Sequence, residues 1–230
     1  MRKLVYVPII HTGSDMGSMR DGLENKTASL LGQEQWKKHV NTVNAYWESI
    51  VYYFKQLDYT VKGLKLYQDG MFAEGDAAMK IIDAGIEAGS KNSEIVLNLI
   101  MRGGILVKTE DYALVKNEYD GIQSLLRSVN SARLLYNLLR YKISKASNLR
   151  KRDTFIAGRI SDTLRVNETG ILFIGAYHNI ASLLPKDIEV SEVKKIEKIR
   201  AYQKLIQSGP GKKPRLFEEL SLYLSGKQFG

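Results

Sequence analysis

Two of the chain's three histidines close apolar runs: His11 ends VYVPIIH and His178 ends ILFIGAYH. An imidazole titrates near neutrality, so one at the end of a buried strand can exchange protons or bind a divalent ion. Asp69 and Glu110 follow two further runs, VKGLKLYQ and ILVKT. In open α/β sheets ligands bind outside the carboxyl ends of the strands, and neighbouring strands lie about 4.8 Å apart. His11, Asp69, Glu110 and His178 are therefore expected in one crevice if the first strand neighbours the one ending near residue 177. Two chemistries suit such a set. His11, His178 and Glu110 would hold a divalent ion such as Zn²⁺, Mn²⁺ or Co²⁺, with a position open for water whose pKa the ion lowers. Alternatively, one histidine is a general base and a carboxylate orients it.

Other residues flank this set. Gly175 before the strand end permits close approach of a ligand or backbone. The loop HTGSDMGS, residues 11–18, is able to wrap an anion with its amides, with Asp15 as a ligand. Asp15, Asp69, Gly175 and Tyr177 are the expected substrate contacts. Arg152-Asp153 opens the segment RDTFIAGRISDTLR. An aspartate near a helix N-terminus is stabilised by the dipole, whereas an arginine there is not, so Arg152 is read as a clamp for a carboxylate or a developing oxyanion. No Walker pattern occurs, and no GxGxxG follows a strand.

A first strand ending in His11, a later Arg152-Asp153 helix and a strand closing in Gly175-Ala176-Tyr177-His178 together resemble the TraB/Tiki/erythromycin-esterase-like superfamily. That resemblance implies an α/β protein with paired GxxH motifs, an acidic residue and an arginine around one site. The first motif reads Pro8-Ile9-Ile10-His11, with proline in the glycine position. Glu110 is one choice for the acidic residue, and the family's glutamate soon after its first strand has only Asp15 and Glu24 as nearby candidates. Tiki-like members imply metal-dependent peptide hydrolysis. Esterase-like members imply metal-free ester chemistry through a histidine, so the cofactor stays open.

The elements that must position these residues can be read from periodicity. Strands are expected at 3–10, 61–67, 105–109 and 171–177, with another near 187–193. Trp36, Val40, Val43, Trp47, Ile50, Phe54 and Leu57 alternate four and three apart and mark a long helix, beside whose stripe His39 lies as a half-exposed structural residue. Further helices are expected at 71–89 and 93–101, in two or three pieces over 112–165 with breaks near 128–131 and 147–150, and after Ser191 as a cap. Strands separated by helices indicate a helix-rich α/β fold with a small, mostly parallel sheet of four or five strands covered by helices. Residues 1–208 read as one domain and 209–230 as a helical appendage packed on it through Phe217, Leu220 and Leu224.

The 230 residues carry a net charge of +9 and no cysteine. Disulfides and thiolate metal sites are excluded, which suits the cytoplasm. No apolar run reaches the length that spans a bilayer, so no membrane partner is expected. Residues 133–165 hold nine Lys/Arg against two Asp. The expected function is hydrolysis of an ester or amide bond in a small-molecule or peptide substrate. The alternative is non-catalytic binding of an anionic ligand or nucleic acid through the basic 133–165 segment. The long helix from Gln33 is also suited to pair two subunits.

Overall fold

The computed structural model describes residues 1–12, 28, 29, 31–56, 63–128 and 130–230. Asp15, Glu24, Leu57 and Val61 lie outside them. The apolar runs form five strands: β1 (Arg2–Ile9), β2 (Leu64–Gln68), β3 (Ile105–Val107), β4 (Thr169–Gly175) and β5 (Ile188–Glu192). They lie in the order β3-β2-β4-β1-β5, and every pair is parallel. Helices α1 (Gln33–Gln56), α2 (Gly75–Glu87), α3 (Lys91–Met101), α4 (Tyr112–Leu126), α5 (Ser131–Thr163), α6 (Ile196–Ser208) and α7 (Pro214–Ser225) surround the sheet. This is the helix-rich α/β architecture read from the alternation of strands and helices.

Parallel strands need crossovers, which cover both faces and explain why β1 and β4 are apolar on both sides. Gly170 and Phe173, three apart on β4, point to opposite faces. A Cβ on Gly170 would stand 2.8 Å from Leu4 and 3.0 Å from Tyr67, with Leu164 at the end of α5 close behind. Phe173 meets Phe54 of α1, ring centroids 5.7 Å apart. So α5 and α1 cover opposite faces. Trp47 donates from Nε1 to the Ile10 carbonyl at 3.0 Å, and the Tyr46 hydroxyl donates to that of Pro8, which pins α1 to the exit of β1. Pro8 is tolerated in a central strand because β5 pairs with β1 only through Tyr6.

Two expectations fail for local reasons. The break near 147–150 is absent: α5 runs unbroken for 33 residues, about 50 Å. Residues 131–157 contain neither Gly nor Pro, and Asn148 bonds across to the Leu114 carbonyl at 3.1 Å, steadying the helix there. Arg152 and Asp153 thus sit deep within a helix rather than at its start, and the dipole argument does not apply. Nor does Ser191 cap a helix. It pairs with Val5 in β5, and the Ile196 amide that opens α6 donates instead to Glu192 Oε2 at 3.1 Å.

The C-terminal helix joins the same hydrophobic cluster through Phe217, Leu220 and Leu224. Lys194 fixes the chain end beyond α7. Its side chain is buried, and Nζ donates to the carbonyls of Tyr223 (3.3 Å), Gly226 (2.5 Å) and Gln228 (2.9 Å). The rings of Tyr223 and Phe229 flank the ammonium at 5.3 and 4.9 Å. Burial draws its pKa down to about 8, so it stays charged at neutrality. Replacing it strands the carbonyls of Tyr223, Gly226 and Gln228. Lys194→Met is expected to lower stability by about 2–4 kcal/mol in urea unfolding, and an unchanged midpoint would contradict this role.

Candidate functional site

Register decides which chain ends meet. Ile9 lies opposite Gly175, and Gln68 opposite Phe173. His11, Asp69 and the Gly175–His178 turn therefore leave the sheet together at its carboxyl edge. Glu110 arrives from β3, where the amides of Thr109 and Glu110 both donate to the Met71 carbonyl, at 2.8 and 2.9 Å. These two hydrogen bonds tie the exit of β3 to the exit of β2.

Asp69 is the hub. Oδ1 accepts from Arg152 Nη2 at 2.6 Å and Oδ2 from the Gly175 amide at 3.0 Å, while His178 Nε2 stands 3.9 Å from Oδ2. A Cβ on Gly175 would come within 3.3 Å of Asp69 Oδ2 and 3.5 Å of the His178 ring, so the missing side chain lets these groups converge. Arg152 is buried, and all three of its nitrogens donate to carboxylates. Nε donates to Glu110 Oε2 at 3.0 Å, Nη2 to Glu110 Oε1 as well as Asp69, and Nη1 to Glu118 Oε2.

His178 is held from both sides. Its Nδ1 lies 2.5 Å from Asp153 Oδ1, and the Asn179 amide donates to Asp153 Oδ2 at 3.0 Å. Arg200 donates to the carbonyls of Ala176 and His178, fixing the turn between them. Successive helical residues differ by about 100° in direction, so one turn of α5 sends Arg152 toward β2 and β3 and Asp153 toward β4. The buried Tyr6 hydroxyl has no hydrogen-bond partner among the described residues and lies within electrostatic reach of Arg200, Asp153 and Asp69.

These contacts set the protonation states. Burial disfavours the Asp69 carboxylate, but the charges of His178, Arg152 and His11 and the Gly175 amide outweigh it and hold its pKa well below the usual range. Burial raises Glu110, and Asp69, competing for the same guanidinium, pushes it the same way against Arg152. Burial opposes protonation of His178, yet the hydrogen bond to Asp153 and the charge of Asp69 prevail and raise its pKa.

The expected residues are thus partly gathered. His11 and His178 emerge from neighbouring strands, and both act on Asp69, although His11 is exposed and His178 buried. Tyr177 is 41 % exposed beside them. Glu110 does not orient a histidine: both its oxygens face Arg152, and Gly70 donates to Oε1 at 3.4 Å. Both its oxygens are engaged by Arg152, and no group of three or more His, Cys, Asp or Glu among the described residues is arranged to hold a metal. Arg152 positions Asp69, and four of its five N–H groups donate to carboxylates. Composition alone did not single out Asp153, Glu118, Arg200 or Tyr6. The one available signal was the adjacency of Asp153 to Arg152. His39, the third histidine, bonds Tyr202 Oη at 2.8 Å, and burial lowers its pKa to about 4. A cleft of about 490 Å³ between α4 and α5 adjoins the cluster through Glu118 and is also lined by Arg140, Tyr141, Lys145 and Lys151. No protein-family model, curated protein or solved structure matches the chain.

Arg152→Met leaves three carboxylates facing one another without a cation, and a loss of about 3–5 kcal/mol is expected by chemical denaturation. Wild-type stability would sink that account. His178 has a folded pKa above its ordinary 6.5. Its stabilising contribution is therefore complete below that value and fades as pH rises through the folded pKa. Unfolding free energies measured across this window should fall for the wild type, and the fall should be shallower for His178→Gln.

Proposed function

We propose that the chain hydrolyses an ester or amide bond of a small-molecule or peptide substrate by acid–base chemistry at His178. The observation that carries the reading is the Asp153–His178 contact of 2.5 Å at the carboxyl edge of the sheet, with Nε2 turned toward Asp69. Asp153 accepts the Nδ1 proton, fixes the tautomer and leaves Nε2 to exchange protons with water or a leaving group. Asp69 stabilises the imidazolium from 3.9 Å. The raised pKa of His178 suits it to donate a proton to the departing group. His11 and Tyr177, exposed at the same edge, are assigned to substrate contact. The resemblance of Gly175–His178 and Arg152-Asp153 to the TraB/Tiki/erythromycin-esterase-like pattern supports the same reaction class. The absence of cysteine supports a reducing compartment, and we assign the cytoplasm.

A second reading, binding of nucleic acid or another anion, is favoured by the cleft beside α5, whose wall carries Arg140, Lys145 and Lys151. It predicts retention in a gel shift that weakens steeply with salt.

Hydrolysis is tested with chromogenic esters and amides on the full chain. His178→Ala and Asp153→Asn should each reduce turnover by about 10²–10⁴-fold. Undiminished rates in both variants, or no turnover by the wild type on either substrate class, would remove the assignment.

A further inference from the structure

The outer part of the α4–α5 hairpin lies apart from the core: among the described residues none between Val107 and Ile156 belongs to the hydrophobic cluster, and α4 buries none. Polar bonds join the two helices. Asn137 Nδ2 donates to the Ser124 carbonyl and to Ser128 Oγ, both at 3.0 Å, and Asn148 bonds the Leu114 carbonyl at 3.1 Å. α5 crosses the carboxyl edge at Arg152 and Asp153, so its first twenty or so residues project roughly 30 Å beyond the sheet.

On α5, Leu135, Leu139 and Ile143 stand four apart and are 58 %, 53 % and 79 % exposed, the first two on the face away from Asn137 and Asn148 and Ile143 at the rim of the α4–α5 cleft. Tyr136 and Leu138 flank the stripe and are exposed too. Residues 121–151 contain seven Lys/Arg and no Asp or Glu. A contiguous aliphatic stripe in water marks a contact surface, and the charge around it selects the occupant. A second copy would bring two strongly cationic faces together. A nucleic acid would meet the basic residues but leave the leucines without an apolar partner. An anionic bilayer satisfies both, with aliphatic side chains below the headgroups and basic ones among them.

We propose that the α4–α5 hairpin docks the protein on an anionic lipid surface, inserting Leu135, Leu139 and Ile143 while Arg133, Arg140 and Lys145 pair with lipid headgroups. Such docking lies in the interface and needs no spanning segment, and no described helix is long and apolar enough to cross a membrane. The expectation of no membrane partner rested on spanning length alone.

The experiment is co-sedimentation of the full chain with phosphatidylcholine vesicles with and without phosphatidylserine. Pelleting is expected with the phosphatidylserine vesicles only. The triple variant Leu135→Ser, Leu139→Ser, Ile143→Ser should lose at least about tenfold in partitioning with an unchanged melting temperature, because these side chains are exposed in the free protein. A variant that unfolds instead contradicts the free apolar face. The proposal also fails if the wild type ignores both vesicles, or if the triple variant pellets as the wild type does. Two further outcomes overturn it: the triple substitution dissolves an oligomer while vesicle binding is absent, or the protein shifts oligonucleotides without vesicle binding.

Discussion

A guanidinium taken out of water loses several kcal/mol of hydration, and only near-complete pairing returns it. Arg152 meets that condition with three carboxylates from three different parts of the chain: Asp69 after β2, Glu110 after β3 and Glu118 in α4. The carboxyl edge of the sheet is organised around this one ion cluster. It draws the exits of β2 and β3 under α5, and it anchors the base of the hairpin through Glu118. It also fixes the oxygen of Asp69 that faces His178.

Sharing one cation among several anions separates their roles. Asp69 has the additional help of the Gly175 amide and the His178 ring, and it stays ionised. Glu110 is buried and pressed by Asp69, so its carboxylate is disfavoured. His178 in turn sits between Asp153 and Asp69 and holds its proton more tightly than a free imidazole. A helix turn that sends adjacent residues to different strands is what lets α5 serve both the ion cluster and the histidine. Beyond that turn the same helix leaves the body of the protein, and its sequence changes from core-facing apolar residues such as Ile156 and Ile160 to exposed leucines among basic residues.

Much of this edge was legible residue by residue. Apolar runs on both faces announced parallel strands, and the residues just past them, His11, Asp69, Glu110 and His178, do reach one edge. The partner choices were not legible. Glu110 looked like the orienting carboxylate because it follows a strand, yet the guanidinium takes both its oxygens, and Asp153, which looked like a helix-dipole residue, holds the imidazole. The apparent break at Ser147–Arg150 misled because serine and asparagine are common at helix ends. Here Asn148 finds a partner across the hairpin, which no local window reveals.

The chain's pattern of apolar and polar residues by itself determined the strands, the order of helices and strands, and the short set of polar side chains at strand ends. These follow from local sterics and from the need to bury both faces of a parallel sheet. Only the tertiary structure decided that β4 inserts between β2 and β1, and hence that Gly175 lies against Asp69 and that Arg152 and Asp153 divide their carboxylate and imidazole partners. Those outcomes depend on contacts 25 to 106 positions apart, and nothing in local periodicity carries information about which distant charges will share a buried site.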